Sequence, residues 1–104
     1  MAKQKVVWTY KAVFEMLEIM NYYSKRNKSR LYSNKLQKEI KQILKNLDFS
    51  IALPQKTTVE NVFYFTHKHN SVFFSFNQNK IEVQSVWDER QNPQSLESFL
   101  NEMF

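Results

Sequence analysis

The chain has 104 residues, with 15 Lys and Arg against 10 Asp and Glu, and it contains no Cys and no Gly. This length predicts a single domain spanning residues 1–104. Without Cys there is no disulfide, thiol nucleophile or Cys-ligated zinc, and two His are too few for a metal site, so we expect neither metal nor cofactor. Near the amino terminus the apolar run is only three residues long, which predicts a cytoplasmic protein without a membrane partner.

Positive charge is concentrated in one segment of the chain. Residues 24–46 contain eight basic residues and one acid, Glu39, whereas residues 82–104 contain five acids and one base, Arg90. The basic residues are the candidate binding residues Lys25, Arg26, Lys28, Arg30, Lys35 and Lys38, together with Lys41 and Lys45. Such a stripe is either a solvated helix face or a surface that gathers phosphates or an acidic protein partner.

The first half of the chain predicts a strand followed by a helical hairpin. A short β-rich run predicts a strand at residues 5–8, and Thr9 is placed to cap the first helix. Two periodic apolar patterns predict a hairpin over residues 10–47, with Ser29 as the cap of its second helix. The first helix is expected to turn these residues inward: Val13, Met16, Leu17, Met20 and Tyr23. The second is expected to bury Tyr32, Leu36, Ile40, Ile43, Leu44 and Leu47.

The second half predicts strands and a last helix. Pro54 disfavours helix, so residues 48–58 are predicted as a loop, and residues 59–87 as a three-stranded meander. In the absence of Gly, positive φ in the turns is expected at Asn70, Asn77 and Asn79. The Asn92-Pro93 pair predicts a C-terminal helix over residues 93–103. The fold class is therefore α+β, a helical hairpin packed on a small antiparallel sheet, in the order β-α-α-β-β-β-α.

Several of these segments resemble the RelE/ParE superfamily of bacterial type II toxins, and the resemblance covers most of the chain. It rests on the strand Val6-Val7-Trp8-Thr9, the basic second helix, the loop proline and the three-strand meander. The segment Asp88-Glu89-Arg90-Gln91-Asn92-Pro93 is similar to the D-x-R-x-N-P ending of one branch of these toxins. The resemblance implies a growth-inhibiting toxin of a type II toxin–antitoxin system, neutralised by a cognate antitoxin.

The same resemblance leaves two cellular targets open. RelE-like members cleave messenger RNA on the ribosome without a metal, whereas ParE-like members are described as poisoning DNA gyrase. In the family an arginine commonly opens the middle strand, and this chain has Ser71 there; a second arginine is matched by Arg90. If the chain is a ribonuclease, the resemblance implies Arg90, Lys68 and His67 as catalytic residues. Because a phosphate clamp is missing at Ser71, we favour the ParE-like interpretation.

Other interpretations of these residues also follow from the sequence. Trp87 at a strand end is a candidate stacking platform for a partner, or a tryptophan packed at the rim of the sheet. His67 and His69 are either an acid–base pair or solvated turn residues, and Asp88 with Arg90 is either functional or a local pair. A different class of function is a non-toxic domain that keeps the fold and binds nucleic acid or protein through its basic hairpin.

Overall fold

The computed structural model describes residues 5–47, 55–57, 59–78 and 80–89. Their elements are β1 (Lys5–Trp8), α1 (Tyr10–Asn27), α2 (Leu31–Lys45), β2 (Gln55–Lys56), β3 (Val62–His67), β4 (Asn70–Asn77) and β5 (Lys80–Asp88). The short strand β2 lies inside the segment predicted as a loop. The predicted helix at residues 93–103 lies outside the described residues, as does Arg90.

Thr9 joins the first strand to the first helix. Its side-chain oxygen accepts a hydrogen bond from the Ala12 amide at 3.2 Å, which caps α1 as the sequence predicts. The same hydroxyl donates to the carbonyl of Val83 at 2.9 Å, and the Thr9 amide donates to that carbonyl at 3.1 Å. One residue therefore starts α1 and holds that start against β5.

A tight polar connection joins the two helices. Lys28 ends α1 in the left-handed conformation (φ 52°), and Ser29 donates its amide to the carbonyl of Ser24, as in a Schellman cap. The cap residue of α2 is Arg30 rather than the predicted Ser29, whose hydroxyl instead accepts from the Leu31 amide. The reason is geometric, because the chain has already left helical geometry at Lys28 and needs two further residues to reverse direction.

The sheet has the order β1-β5-β4-β3-β2. Strands β2 to β5 pair antiparallel, but β1 pairs parallel with β5, so the sheet is mixed rather than purely antiparallel. The parallel pair is possible because the whole helical hairpin separates β1 from the later strands and lets the chain cross over. The predicted α+β fold with a helical hairpin against a small sheet is confirmed, with this correction.

The hydrophobic core lies between the hairpin and one face of the sheet. It contains Ala12, Met16, Ile19 and Tyr23 from α1, Leu36, Ile40 and Leu44 from α2, and Val72, Phe74, Ile81, Val83 and Val86 from the sheet. A β-bulge makes the last set possible: Phe73 faces Ser85 but Phe74 faces Val83, so the strand alternation of β5 shifts by one residue. Strict alternation would place Ser85 on the same face of the sheet as Val83. Because of the bulge, Ser85 lies on the other face.

Positive φ angles occur without glycine. Between described strands they occur at Asn61 (63°), Lys68 (49°), His69 (68°) and Gln78 (51°), and not at the predicted Asn70 and Asn77. The third predicted position, Asn79, lies outside the described residues. Asn70 is instead the first residue of β4, and its side-chain amide donates to the Lys68 carbonyl at 2.9 Å. Asn70 follows the β3–β4 turn and stabilises it through this hydrogen bond. The two turn residues, Lys68 and His69, adopt the strained left-handed conformation.

The carboxylate of Glu15 attaches α1 to the edge of β5 beyond the end of β1. It accepts hydrogen bonds from the Ser85 hydroxyl at 2.7 Å and from the Val86 amide at 3.2 Å. Lys11 approaches the other carboxylate oxygen at 3.4 Å. Glu15 thus satisfies a strand-edge amide of a buried residue, a group that is costly to leave unpaired.

We predict that Glu15→Ala lowers the free energy of unfolding by about 1–3 kcal/mol, because it leaves the Val86 amide without an acceptor. Glu18→Ala is the matched control, since Glu18 is an exposed acid on the same helix and its loss is expected to change stability by less than about 0.5 kcal/mol. Urea unfolding of the two variants measures the difference. Equal stability of both would contradict the role given to Glu15.

Candidate partner-binding surfaces

A groove runs between the two helices on the outer side of the hairpin. One cavity of about 250 Å³ is lined by Trp8, Val13, Met16, Leu17, Gln37 and Lys41. A neighbouring cavity of about 290 Å³ is lined by Leu17, Met20, Asn21, Ser24, Arg30 and Asn34. Because Leu17 lines both, they form one groove, the α1–α2 groove, with apolar side chains along α1 and basic residues Lys41 and Arg30 on the α2 side.

Apolar side chains continue from this groove onto the outer face of α1. Tyr10 is 87% exposed, Phe14 65% and Leu17 51%. The prediction that Val13 and Leu17 face the core is wrong, because the helix turns Ala12 and Ile19 inward instead. Small Ala12 permits a close approach to the sheet, so α1 is rotated and its second apolar stripe remains in solvent.

The predicted basic residues are all exposed and are here called the basic face. Its members are Lys25, Arg26, Lys28 and Arg30 at the tip of the hairpin, and Lys35, Lys38, Lys41 and Lys45 along α2. All eight side chains are exposed, and within the described part of the chain none of them forms an ion pair. Their binding role stays a prediction.

The single acid of the basic segment points away from this face. Glu39 Oε1 lies 2.9 Å from His67 Nε2 and 2.9 Å from Lys68 Nζ, at the turn between β3 and β4. Lys68 also lies over the ring of Tyr32, 5.9 Å from its centroid. Hydrogen bonds from His67 and then from Lys68 lower the pKa of Glu39 from 4.5 to about 2. This cluster, the Glu39 cluster, holds α2 to the sheet.

The ribonuclease interpretation assigns catalysis to His67, Lys68 and Arg90, of which the structure describes His67 and Lys68. His67 and Lys68 are both engaged with Glu39 on the helix side of the sheet, and Arg90 lies outside the described residues. Around Ser71, the opposite face presents Thr66, whose hydroxyl is 3.2 Å from that of Ser71, and Phe73, whose ring packs on Tyr64. In the described part of the chain, the hydrogen-bond partner of the Ser71 hydroxyl is Thr66 and not a cationic side chain. The catalytic assignments stay predictions.

The side chain of Trp87 is buried in the structure. It pairs with Ser71 across the strands and is 5% exposed, so its ring offers no free face for a partner to stack on. Its neighbour Asp88 is also buried, opposite Asn70. The burial is typical of a packed tryptophan, and the role of Trp87 as a stacking platform stays a prediction.

Comparison with solved structures identifies a similar fold. No family model matches the chain, and no curated protein matches it in sequence. Among solved structures, a chain of the "Chromosomal ParDE TA system from P. aeruginosa" superposes with a TM-score of 0.63, at 16% identity, over 80% of this chain and 92% of that chain. This chain has a RelE/ParE-like fold. The fold implied by the sequence resemblance is confirmed, and at this identity the likeness shows the fold alone.

Two unpredicted features of the structure have a signal in the sequence. α1 carries apolar residues at more positions than one buried stripe needs, including Tyr10, Phe14 and Tyr22, which indicates a helix with two apolar faces. Glu39 is an isolated acid among eight bases, which could have identified it as a residue with a specific partner. The described residues also contain no helix that is both long and apolar enough to cross a membrane.

We predict that the Glu39 cluster gives the fold an acid-sensitive contribution. Since the folded state lowers the pKa of Glu39 to about 2, the stabilisation is complete above pH 4.5 and is lost as the pH falls towards 2. Thermal unfolding at several pH values should show wild type losing stability relative to Glu39→Gln over this range. Glu60→Gln, which changes an exposed acid in the turn before β3, should follow the wild-type profile. Identical profiles for all three proteins would contradict the prediction.

Proposed function

We propose that this chain is the toxin of a type II toxin–antitoxin system, acts in the cytoplasm and is neutralised by a cognate antitoxin. The observation that carries the proposal is the fold, which matches a chain of a ParDE system over most of both chains. The exposed apolar groove supports it, because a small protein that leaves apolar side chains in solvent commonly has a protein partner. A toxin held inactive by a second protein needs such a surface.

The α1–α2 groove suits one amphipathic segment of an antitoxin. Val13 and Leu17 supply an apolar floor, and Lys41 and Arg30 supply positive charge beside it. An antitoxin helix with an apolar stripe would bury that stripe against this floor. Acidic residues on either side of the stripe would pair with Lys41 and Arg30. The net charge of +5 would also accelerate its association with an acidic protein.

Within the toxin proposal we favour ParE-like action on DNA gyrase over ribosome-dependent cleavage of messenger RNA. A metal-free ribonuclease must neutralise the transition-state phosphate and move two protons. Beside Ser71 the described sheet surface offers hydroxyls and the Tyr64 and Phe73 rings, and the nearest cation of the turn, Lys68, is paired with Glu39. Lys80 is at the far end of the sheet, about 20 Å along the strands from Ser71.

Expression of the chain alone is expected to arrest growth, and co-expression of an adjacent or overlapping acidic reading frame is expected to restore it. Purified protein should then inhibit gyrase supercoiling without cleaving ribosome-bound messenger RNA. Codon-specific cleavage that disappears in Arg90→Ala would overturn the ParE-like choice and leave the toxin proposal intact. Unaffected growth together with inactivity in both assays would support the alternative, a non-toxic domain that retains the fold.

The groove is tested by Leu17→Asp, which places a carboxylate on the apolar floor shared by both cavities. We expect at least about tenfold weaker binding of the antitoxin, because charge in a desolvated contact is costly. Leu31→Asp is the control, since Leu31 is 82% exposed and lines neither cavity. Titration calorimetry measures both affinities. Equal affinities for the two variants would place the antitoxin elsewhere.

A further inference from the structure

The outer face of α2 differs chemically from the groove beside it. Its exposed residues are Leu31, Asn34, Lys35, Lys38, Lys41, Gln42 and Lys45. Only Leu31, at the first position of the helix, is apolar. Protein interfaces are built around apolar and aromatic side chains and are depleted in lysine at their centres, so this surface lacks what a protein partner would bury.

The arrangement of lysines on this face carries a cost in stability. Lys35 and Lys38, Lys38 and Lys41, and Lys41 and Lys45 are like-charged pairs three or four residues apart on one helix. Each such pair destabilises a helix, because like charges on neighbouring turns repel each other. A solvated face needs no such concentration of one charge, because alternating signs give equal solubility and stabilise the helix.

The one acid that could relieve this repulsion is held elsewhere. Glu39 is four residues after Lys35, the spacing of a stabilising helical ion pair. Its carboxylate instead contacts His67 and Lys68 at the turn between β3 and β4. The tertiary structure therefore leaves the outer face of α2 positive throughout, and among the described residues no carboxylate is paired with Lys35, Lys38, Lys41 or Lys45.

We propose that the outer face of α2 binds the phosphodiester backbone of a nucleic acid without reading its sequence. Lysines from Lys35 to Lys45 extend over about 15 Å of helix, and a duplex carries one charge per about 1.7 Å of its axis, so several phosphates lie within their reach. The side-chain amides of Asn34 and Gln42 lie on the same face and can donate to phosphate oxygens. The face shares Lys41 and Asn34 with the α1–α2 groove, but the proposed nucleic-acid binding does not depend on the toxin function.

The test compares two triple variants that remove the same charge. Lys35, Lys38 and Lys45 are changed to Gln in one, and the exposed residues Lys5, Lys56 and Lys80 of the sheet in the other. Lys41 is left unchanged because it also lines the groove. Affinities are measured by fluorescence anisotropy with DNA and RNA duplexes of about 20 base pairs, each in two unrelated sequences. The salt concentration is varied from about 50 to about 200 mM, a range over which affinity for DNA falls measurably with each phosphate contact.

For wild type we expect affinity to fall with salt with a log–log slope of about −3 to −4, the value for about four phosphate contacts, and to be equal for the two sequences. The α2 triple variant should lose at least about tenfold in affinity and most of this slope, and the sheet triple variant should keep the slope. If one type of duplex binds more tightly, that type, DNA or RNA, is the preferred ligand of this face.

Three results would overturn the proposal. One is no binding at the lowest salt concentration, and another is an equal loss in both triple variants, which would indicate net charge rather than this face. The third is polyglutamate competing as strongly as either duplex and depending on the same three lysines, which would identify a surface for acidic protein. Circular dichroism of both variants checks that each is folded, and the sheet variant serves as the matched control.

Discussion

The burial of the helical hairpin against a single face of the sheet is the constraint on which the rest of the structure depends. Leu36, Ile40 and Leu44 of α2 are essentially inaccessible to solvent, and together with the inward stripe of α1 they cover Phe74 and its neighbours. Full burial of one such aliphatic side chain contributes about 1.5–3 kcal/mol, more than any ion pair in the described structure is expected to contribute. Packing therefore sets the orientation of both helices, and this orientation determines where their charged residues lie.

That orientation determines where the surfaces lie. Ala12 is buried on the side of α1 that faces the sheet, and Ser33 of α2 donates a hydrogen bond to the Met20 carbonyl of α1 at 2.7 Å. With α1 in this rotation, Val13 and Leu17 face outward and line a groove. The apolar surface available to a partner is thus a consequence of how the core is packed, and it lies beside the basic face without overlapping most of it.

Electrostatics then separates the two surfaces of the hairpin. Glu39 is withdrawn from the basic segment to join His67 and Lys68, so one carboxylate fixes α2 to a strand turn and leaves the outer lysines unneutralised. The turn that supplies these partners is itself unusual, since Lys68 and His69 adopt positive φ in a chain without glycine. The strain is offset by Asn70, whose side chain bonds to the turn carbonyls.

The sequence by itself determined the α+β class, the β1 strand with its Thr9 cap, the buried stripe of α2 and the concentration of positive charge, because periodicity, capping and charge are local properties. It also carried the resemblance that predicts the RelE/ParE-like fold. Only the tertiary structure decided the parallel pairing of β1 with β5, the rotation of α1 and the partners of Glu39. Each of these depends on contacts between residues distant in the chain: a helix with two apolar faces fits the core in more than one rotation, and an acid's partner is chosen by which turn packs beside it.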